Sequence, residues 1–186
     1  MREVTMDKKE VRRQMLSMRR LVTPEEQQKA SAIICARLWR RLEQYPSGVV
    51  LSYLAYGREV DLTLLHERLW QSGRQLAVPR TFGLVPGEMR ASLYRKGDER
   101  IKVALGVYEP LGTPEVNPAD IGVVLAPGVA FDVRLNRLGH GKGYYDRFLP
   151  KLSAGARVIG IAYKWQVLPE LPVEQFDRPM DELVTD

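Results

Sequence analysis

Residues 120–152 read DIGVVLAPGVAFDVRLNRLGHGKGYYDRFLPKL. The run opens on an apolar stretch, Asp120 to Ala126, with the length and continuity of a strand covered on both faces. Pro127-Gly128 breaks it. At the far end Tyr145, Phe148, Leu149 and Leu152 recur at helical spacing and predict a helix reaching about Leu152. Between them lies RLGHGKGYYD, Arg137 to Asp146, where Gly139, Gly141 and Gly143 alternate with His140 and Lys142. A backbone with so little side-chain bulk can adopt positive φ and turn several N–H groups toward one point. Arg137 and Lys142 add positive charge, and Asp146 places a carboxylate where it could hold Mg²⁺. A strand, an anion-binding loop and a helix in that order are expected of an α/β fold, which seats anions at a helix N-terminus.

The rest of the chain agrees with this. Val11, Met15, Met18 and Val22 fall at steps of four, three and four, which predicts an amphipathic helix over Thr5 to Val22. Lys8, Arg12 and Arg19 lie near one another on a separate face. Thr23-Pro24-Glu25-Glu26 opens a second helix, with Thr as N-cap, Pro in the first turn and acids against the dipole. That helix is expected to reach about Leu42 and to end at Tyr45-Pro46-Ser47-Gly48. Val49 to Leu54 and Gln75 to Pro79 read as strands. Between them Asp61 caps a helix with Leu62, Leu65 and Leu69 inward, closed by Gly73. Arg90 to Arg95 alternates like a half-exposed strand, and Tyr108-Glu109-Pro110 begins a proline-rich connection. Arg157 to Tyr163 is a further strand, and Leu168 to Pro179 is a loop with three prolines. Strands alternating with helices predict a mainly parallel sheet sandwiched by helices. No linker or repeat divides residues 1–186, which are expected to form one domain.

Composition excludes several classes of function. The chain is 45% hydrophobic and 27% charged, as globular proteins are. No apolar run approaches the ~20 residues that a membrane helix needs. The N-terminus lacks an apolar signal core and Cys35 is the sole cysteine, so the expected setting is the reducing cytoplasm. His66 and His140 have no cysteine companions at metal-ligand spacing, which argues against structural zinc. His66, inside a predicted helix, reads as a structural or surface residue. The glycine loop is neither G-x-G-x-x-G nor G-x-x-x-x-G-K-[ST], so nicotinamide binding and P-loop hydrolysis are disfavoured. Net charge is +5, and residues 1–44 hold 11 Lys/Arg against 6 Asp/Glu while residues 45–186 hold 17 of each. The excess in the first segment reads as a solvated face, as attraction for nucleic acid, or as a basic helix folded back to meet phosphates bound elsewhere in the domain.

The stretch APGVAFD…NRLGHGKGYYDRFL resembles the signature of the 5-formyltetrahydrofolate cyclo-ligases, also called methenyltetrahydrofolate synthetases. The likeness extends over nearly the whole chain. It takes in Lys8-x-x-x-Arg12, the loop with Glu59 and Asp61, Val78-Pro79-Arg80, Gly106 to Pro110 and Met180 to Val184. It implies a three-layer α/β/α fold with a mainly parallel sheet, NagB/RpiA/CoA-transferase-like. The implied reaction is the conversion of 5-formyltetrahydrofolate to 5,10-methenyltetrahydrofolate with ATP as co-substrate and Mg²⁺ as cofactor. Both nucleophiles of such a reaction belong to the substrate, and the absence of a Ser-His or Cys-His device in this sequence fits that.

The resemblance also implies roles. Arg137, Leu138, Gly139, His140, Gly141, Lys142, Gly143, Tyr144 and Tyr145 would cradle the ATP phosphates. Lys142 and Arg137 would stabilise charge, and Lys8 and Arg12 would reach ATP from the first helix. Arg13, Arg19, Arg20, Arg40 and Arg41 are left as an exposed basic face. Asp146 and Asp181 would hold Mg²⁺ directly or through water, Asp181 being otherwise a cap or a surface acid. Glu59 would take the adjacent N–H donors of the pterin, being otherwise a loop acid paired with Arg58. Tyr144 would pack near the formyl group, Tyr145 looks like core, and Leu54 and Tyr108 would line the pocket for the flat ring system. His140 stands where family members carry varied residues, often Arg; it is assigned no catalytic role and would make a phosphate contact pH-sensitive. The implied partners are small molecules, with no nucleic acid and no membrane, and the implied state is a monomer. Two rival readings stay open. One is another ATP- or sugar-phosphate-binding enzyme of a related α/β fold, and the other is a nucleic-acid-binding module using the basic N-terminal helix. Against the second, the remaining chain is electrically balanced and Trp39, Trp70 and Trp165 are far apart in sequence.

Overall fold

The computed structural model describes residues 7–45, 48–103, 106–174 and 177–186. Strand β7 (Ile121–Pro127) runs through the middle, parallel to β1 (Val49–Leu51) on one side and to β10 (Arg157–Ile161) on the other. β2 (Leu76–Arg80) extends the parallel set beyond β1, and β12 (Glu182–Val184) extends it beyond β10. β3 (Arg90–Leu93) and β6 (Glu115–Val116) add an antiparallel margin, giving the order β12-β10-β7-β1-β2-β3-β6. The mainly parallel sheet is as expected.

The apolar run of β7 explains the layers. Successive side chains point to opposite faces, so Val123 and Leu125 face one way and Val124 and Ala126 the other, all fully buried. On the first face lie α2 (Pro24–Leu42) and α3 (Thr63–Gln71), whose Ile34, Leu38, Leu65 and Leu69 pack with Val50, Val123 and Leu125. On the second, Met89, Phe131 and the short α4 (Tyr144–Phe148) cover Leu51, Val124 and Ala126. Each such side chain contributes about 1.5–3 kcal/mol when fully buried. The cap read at Thr23 is present, whereas α3 has Leu62 at its N-cap with no side-chain cap bond, and Asp61 stands one residue earlier. Thr23 and Glu26 form a reciprocal capping box on α2, and the Asp61 carboxylate accepts from Thr63 N at 2.9 Å at the start of α3.

Helix α1 (Lys8–Leu21) is capped by Asp7; the expected start at Thr5 lies outside the described residues, as do Pro46 and Ser47. It packs on a small second sheet rather than on the main one. That sheet consists of β8 (Ala130–Asp132), β9 (Arg137–Leu138) and β11 (Val167–Leu168). Val11 and Met15 meet Val129, Ala130, Leu138 and Leu171 there. The expected stripe is displaced at its third position: Arg19 is buried at 6% exposure while Met18 is 45% exposed. Arg19 follows Met15 at one further step of four, as Met15 follows Val11, so it continues their face, and a buried carboxylate waits for it.

Three other expectations change. The glycine loop does not follow β7 directly, because the β8–β9 hairpin intervenes. The buried Asp132 carboxylate closes that hairpin by accepting from Arg134 N, Asn136 N, Asn136 Nδ2 and Leu171 N at 2.9–3.0 Å. The expected helix to Leu152 is α4 followed by a 3-10 turn at Leu149–Lys151, since Pro150 cannot continue an α-helix. Tyr108–Pro110 is a strand, β5, paired antiparallel with β4 (Arg100–Lys102), where Pro110 is tolerated at a two-strand edge. No helix among the described residues is long and apolar enough to cross a membrane.

Candidate active site

The carboxyl ends of β1, β2 and β7 open into a cleft of about 830 Å³ lined there by Tyr53, Leu54, Val78, Pro79 and Pro127. Open parallel sheets place ligands at this end of their strands. The glycine loop and the start of α4 form one wall, the N-terminal turn of α1 a second, and the 54–59 segment with the β4–β5 hairpin a third. Of the candidate residues, Lys8, Arg12, Leu54, Glu59, Tyr108 and the whole run from Arg137 to Asp146 line this cleft together.

The wall of the glycine loop is shaped by close approaches. Gly141 and Gly143 have φ of +88° and +65°, which other residues rarely adopt. A Cβ on Gly139 would stand 2.8 Å from Arg137 Nη1. Arg12, reaching over from α1, donates through Nε to Gly139 O at 2.8 Å, so the first helix is tied directly to the loop. Lys8 instead pairs with Asp177 at 2.6 Å and Glu174 at 3.3 Å, both from the proline-rich loop. The docking of α1 on the small sheet therefore brings three basic residues inward, Lys8, Arg12 and Arg19, and accounts for part of the N-terminal excess of charge. Lys142 is exposed and forms no ion pair among the described residues.

Arg137 is not free to grip an anion in the way expected. Its side chain is 6% exposed, Nη2 lies 3.0 Å from Asp146 Oδ1, and the guanidinium sits 5.0 Å from the centre of the Tyr145 ring. The pairing orients the Asp146 carboxylate, the acid that the glycine loop contributes to the cleft. Tyr145, expected to be core, packs against the core beneath the second sheet face yet also reaches the cleft. Burial pushes its hydroxyl well above the ordinary tyrosine range, so the phenol stays protonated.

Glu59 is 6% exposed and pairs with Arg19, Nη1 to Oε1 at 3.2 Å, not with Arg58. Its other oxygen accepts from Tyr56 N at 3.3 Å. His140 joins from the glycine loop, with Nε2 at 2.9 Å from Tyr56 Oη and 3.7 Å from Glu59 Oε1. Arg19 and Tyr56 were not among the candidates. The four-residue steps from Val11 through Met15 mark Arg19 as an inward position; Tyr56 carries no comparable signal in the sequence.

Asp181 is the candidate that the structure does not bring in. Its carboxylate accepts from Val158 N at 2.7 Å, and Val158 pairs in register with Val124. The cleft begins at Pro127, three residues further along β7, or about 10 Å at 3.3 Å per residue. Asp181 ties β12 to β10 at the sheet margin and lies away from Asp146. No group of three or more His, Cys, Asp and Glu suited to a metal occurs among the described residues. Asp146, a single carboxylate on the glycine-loop wall, is a donor set that fits an ion such as Mg²⁺, which keeps several waters and takes one or two carboxylates from a protein. Cys35 is no nucleophile: burial raises its thiol to about 11.

A cleft at the carboxyl ends of parallel strands, with a cationic glycine loop facing a buried carboxylate, defines an α/β protein of the ligand-binding, enzymatic class. A family model described as the 5-formyltetrahydrofolate cyclo-ligase family matches residues 4–186. The Escherichia coli K12 5-formyltetrahydrofolate cyclo-ligase is 31% identical over 170 residues, covering 90% of this chain and 93% of that protein. The NMR structure of Aquifex aeolicus 5,10-methenyltetrahydrofolate synthetase superposes with a TM-score of 0.81 at 32% identity, covering 96% of this chain and 89% of the other. The Mycoplasma pneumoniae 5,10-methenyltetrahydrofolate synthetase gives 0.80 at 26% identity, covering 97% and 99%. The chain belongs to the 5-formyltetrahydrofolate cyclo-ligase family, and it is an enzyme of folate chemistry.

Proposed function

We propose that this protein closes the ring of 5-formyltetrahydrofolate to 5,10-methenyltetrahydrofolate, spending ATP and releasing ADP and phosphate. The observation that carries the reading is that the cationic glycine loop and the buried Glu59 face one cleft, within a chain of this family. An N-formyl oxygen is a poor leaving group. In the proposed step that oxygen attacks the γ-phosphorus of ATP, the bond from phosphorus to the β,γ-bridging oxygen breaks, and ADP leaves. N10 of the same folate then attacks the activated carbon, phosphate departs with the former formyl oxygen, and N10 releases its proton.

The protein's part is to position and to stabilise charge. Lys142 meets the transferring phosphoryl group, and the N–H groups of residues 139–143 with Arg12 and Lys8 hold the rest of the triphosphate. Lys8 does so by exchanging its carboxylate partners, Asp177 and Glu174. Arg137 acts through Asp146, which would hold Mg²⁺; when bound, that ion neutralises phosphate charge. Glu59, held in place by Arg19 and the Tyr56 amide, takes the pterin N–H donors. Leu54 and Tyr108 flank the aromatic portion, and Tyr144 packs by the formyl group. The enzyme is proposed to act as a cytoplasmic monomer of one domain, a setting that the single buried cysteine supports.

The test is direct. The 5,10-methenyl product absorbs in the near ultraviolet, so purified protein with 5-formyltetrahydrofolate, Mg²⁺ and ATP should give a rise in absorbance that requires all three. No rise, with folded protein and all components present, rejects the reading.

A further inference from the structure

We propose that Arg147 is a positioning residue that ties the glycine loop to the 81–88 loop at the mouth of the cleft and so fixes the spacing of its walls. What the walls hold rests on the functional reading above. Arg147 lies on α4, one residue past Asp146, and does not itself line the cleft. Its Nε donates to Gly87 O at 2.8 Å, and its Nη2 donates to the carbonyl of Lys142.

Two glycines make the slot for the guanidinium. A Cβ on Gly87 would stand 2.9 Å from Nη2, and one on Gly143 would stand 2.7 Å from Nη1. The group is seated between two backbones that belong to different loops. The 81–88 loop is pinned at its other end by the buried Glu109, which accepts from Thr81 N and Phe82 N at 2.8 Å and from Thr81 Oγ1 at 2.6 Å. With both ends held, Thr81 and Met89 keep their places in the cleft wall. On the opposite side, gripping the Lys142 carbonyl fixes the peptide plane shared with Gly143. That plane sets the direction of the Gly143 N–H and limits how the Lys142 side chain leaves the loop. A planar fork with five donors can serve two carbonyls at once, whereas a lysine ammonium is a single point charge on a flexible stem.

The experiment compares the wild-type protein with Arg147→Ala and Arg147→Lys. Hydrogen exchange on the ligand-free proteins reads the tie itself. In Arg147→Ala, peptides covering 81–88 and 139–143 should exchange roughly tenfold faster, with the central sheet unchanged. In steady state, kcat/KM for both ATP and 5-formyltetrahydrofolate should fall about tenfold in Arg147→Ala and stay low in Arg147→Lys. Millimolar guanidinium should restore most of the Arg147→Ala loss and leave the wild type unaffected, a rescue that a general loss of stability would not show. Unchanged exchange in the two loops, faster exchange spread through the central sheet, or a kinetic loss indifferent to guanidinium overturns the proposal. If the wild type itself lacks cyclo-ligase activity, the functional reading fails, and the exchange comparison still decides the tie.

Discussion

His66 offers a measurement in which the fold sets the sign and size of a pH effect. Its ring is 3% exposed on α3, with Nε2 at 2.8 Å from Oγ of the fully buried Ser52, and the rings of Trp70 and Tyr94 lie beside it. Burial pushes its pKa down to about 4, with Asp61 pulling weakly the other way. The unfolded chain binds this proton at the ordinary value, about 6.5. Between the two values the unfolded state carries more protons, so stability rises with pH and is lost on acidification through that window. Linkage gives a loss of about 1 kcal/mol at roughly pH 5.5 and about 2 kcal/mol at roughly pH 4.5, relative to neutral pH. Carboxylates titrate in the same range, so the quantity to measure is a difference. Urea unfolding of the wild type and of His66→Gln, from roughly pH 7.5 down to 4.5, isolates it. The stability gap should move in favour of the variant by about 2 kcal/mol across the series. A gap that stays constant with pH would show that His66 is protonated inside the fold or is reached by water, and the reasoning from burial would be wrong.

Three further outcomes are expected at the site. Arg19→Met should cost about 3 kcal/mol by leaving Glu59 buried without its cation, and Arg19→Met with Glu59→Gln should recover most of that in chemical denaturation. A double variant as unstable as the sum of the singles would mean the pair is not coupled. Lys142→Ala should lower kcat about 100-fold or more with little change in KM for 5-formyltetrahydrofolate, and wild-type turnover would remove it from phosphoryl transfer. Asp146→Asn should raise the Mg²⁺ concentration needed for half-maximal rate; an unchanged requirement would place the ion elsewhere.

The layers were legible because burial on both faces leaves continuous apolar runs, as in β7 and β10, and capped amphipathic patterns, as in α2. Fifteen of the sixteen candidate residues meet in one cleft, since the glycine loop and the Lys8/Arg12 pair carry local signals of charge and backbone freedom. What failed was tertiary. The β8–β9 hairpin depends on Asp132 bonding to Leu171, a residue 39 positions away. Arg19 reads as a surface cation until Glu59, 40 positions on, supplies its partner. Asp181 has the residue type of a metal ligand, but a strand register that no local pattern specifies takes it to the sheet margin.

That lesson extends to the cleft's electrostatics, where counting charges misleads. Its lining holds five Lys/Arg and six Asp/Glu, an arrangement that looks hostile to a triphosphate. Yet each of those acids already has a partner. Asp7 caps α1, Glu59 faces Arg19, Glu109 holds the 81–88 loop, Asp146 faces Arg137, and Glu174 and Asp177 face Lys8. Among the described cations of the cleft, Lys9, Arg12 and Lys142 have no carboxylate partner, Arg12 being spent only on a carbonyl. Two of these stand on α1 and one on the glycine loop, more than 120 residues away in sequence. Among the described residues of the cleft, the cations without a carboxylate partner therefore lie on α1 and on the glycine loop that Arg12 ties to it. Val11 and Met15, which dock α1 on the small sheet, thus set where these cations stand without lining the cleft themselves.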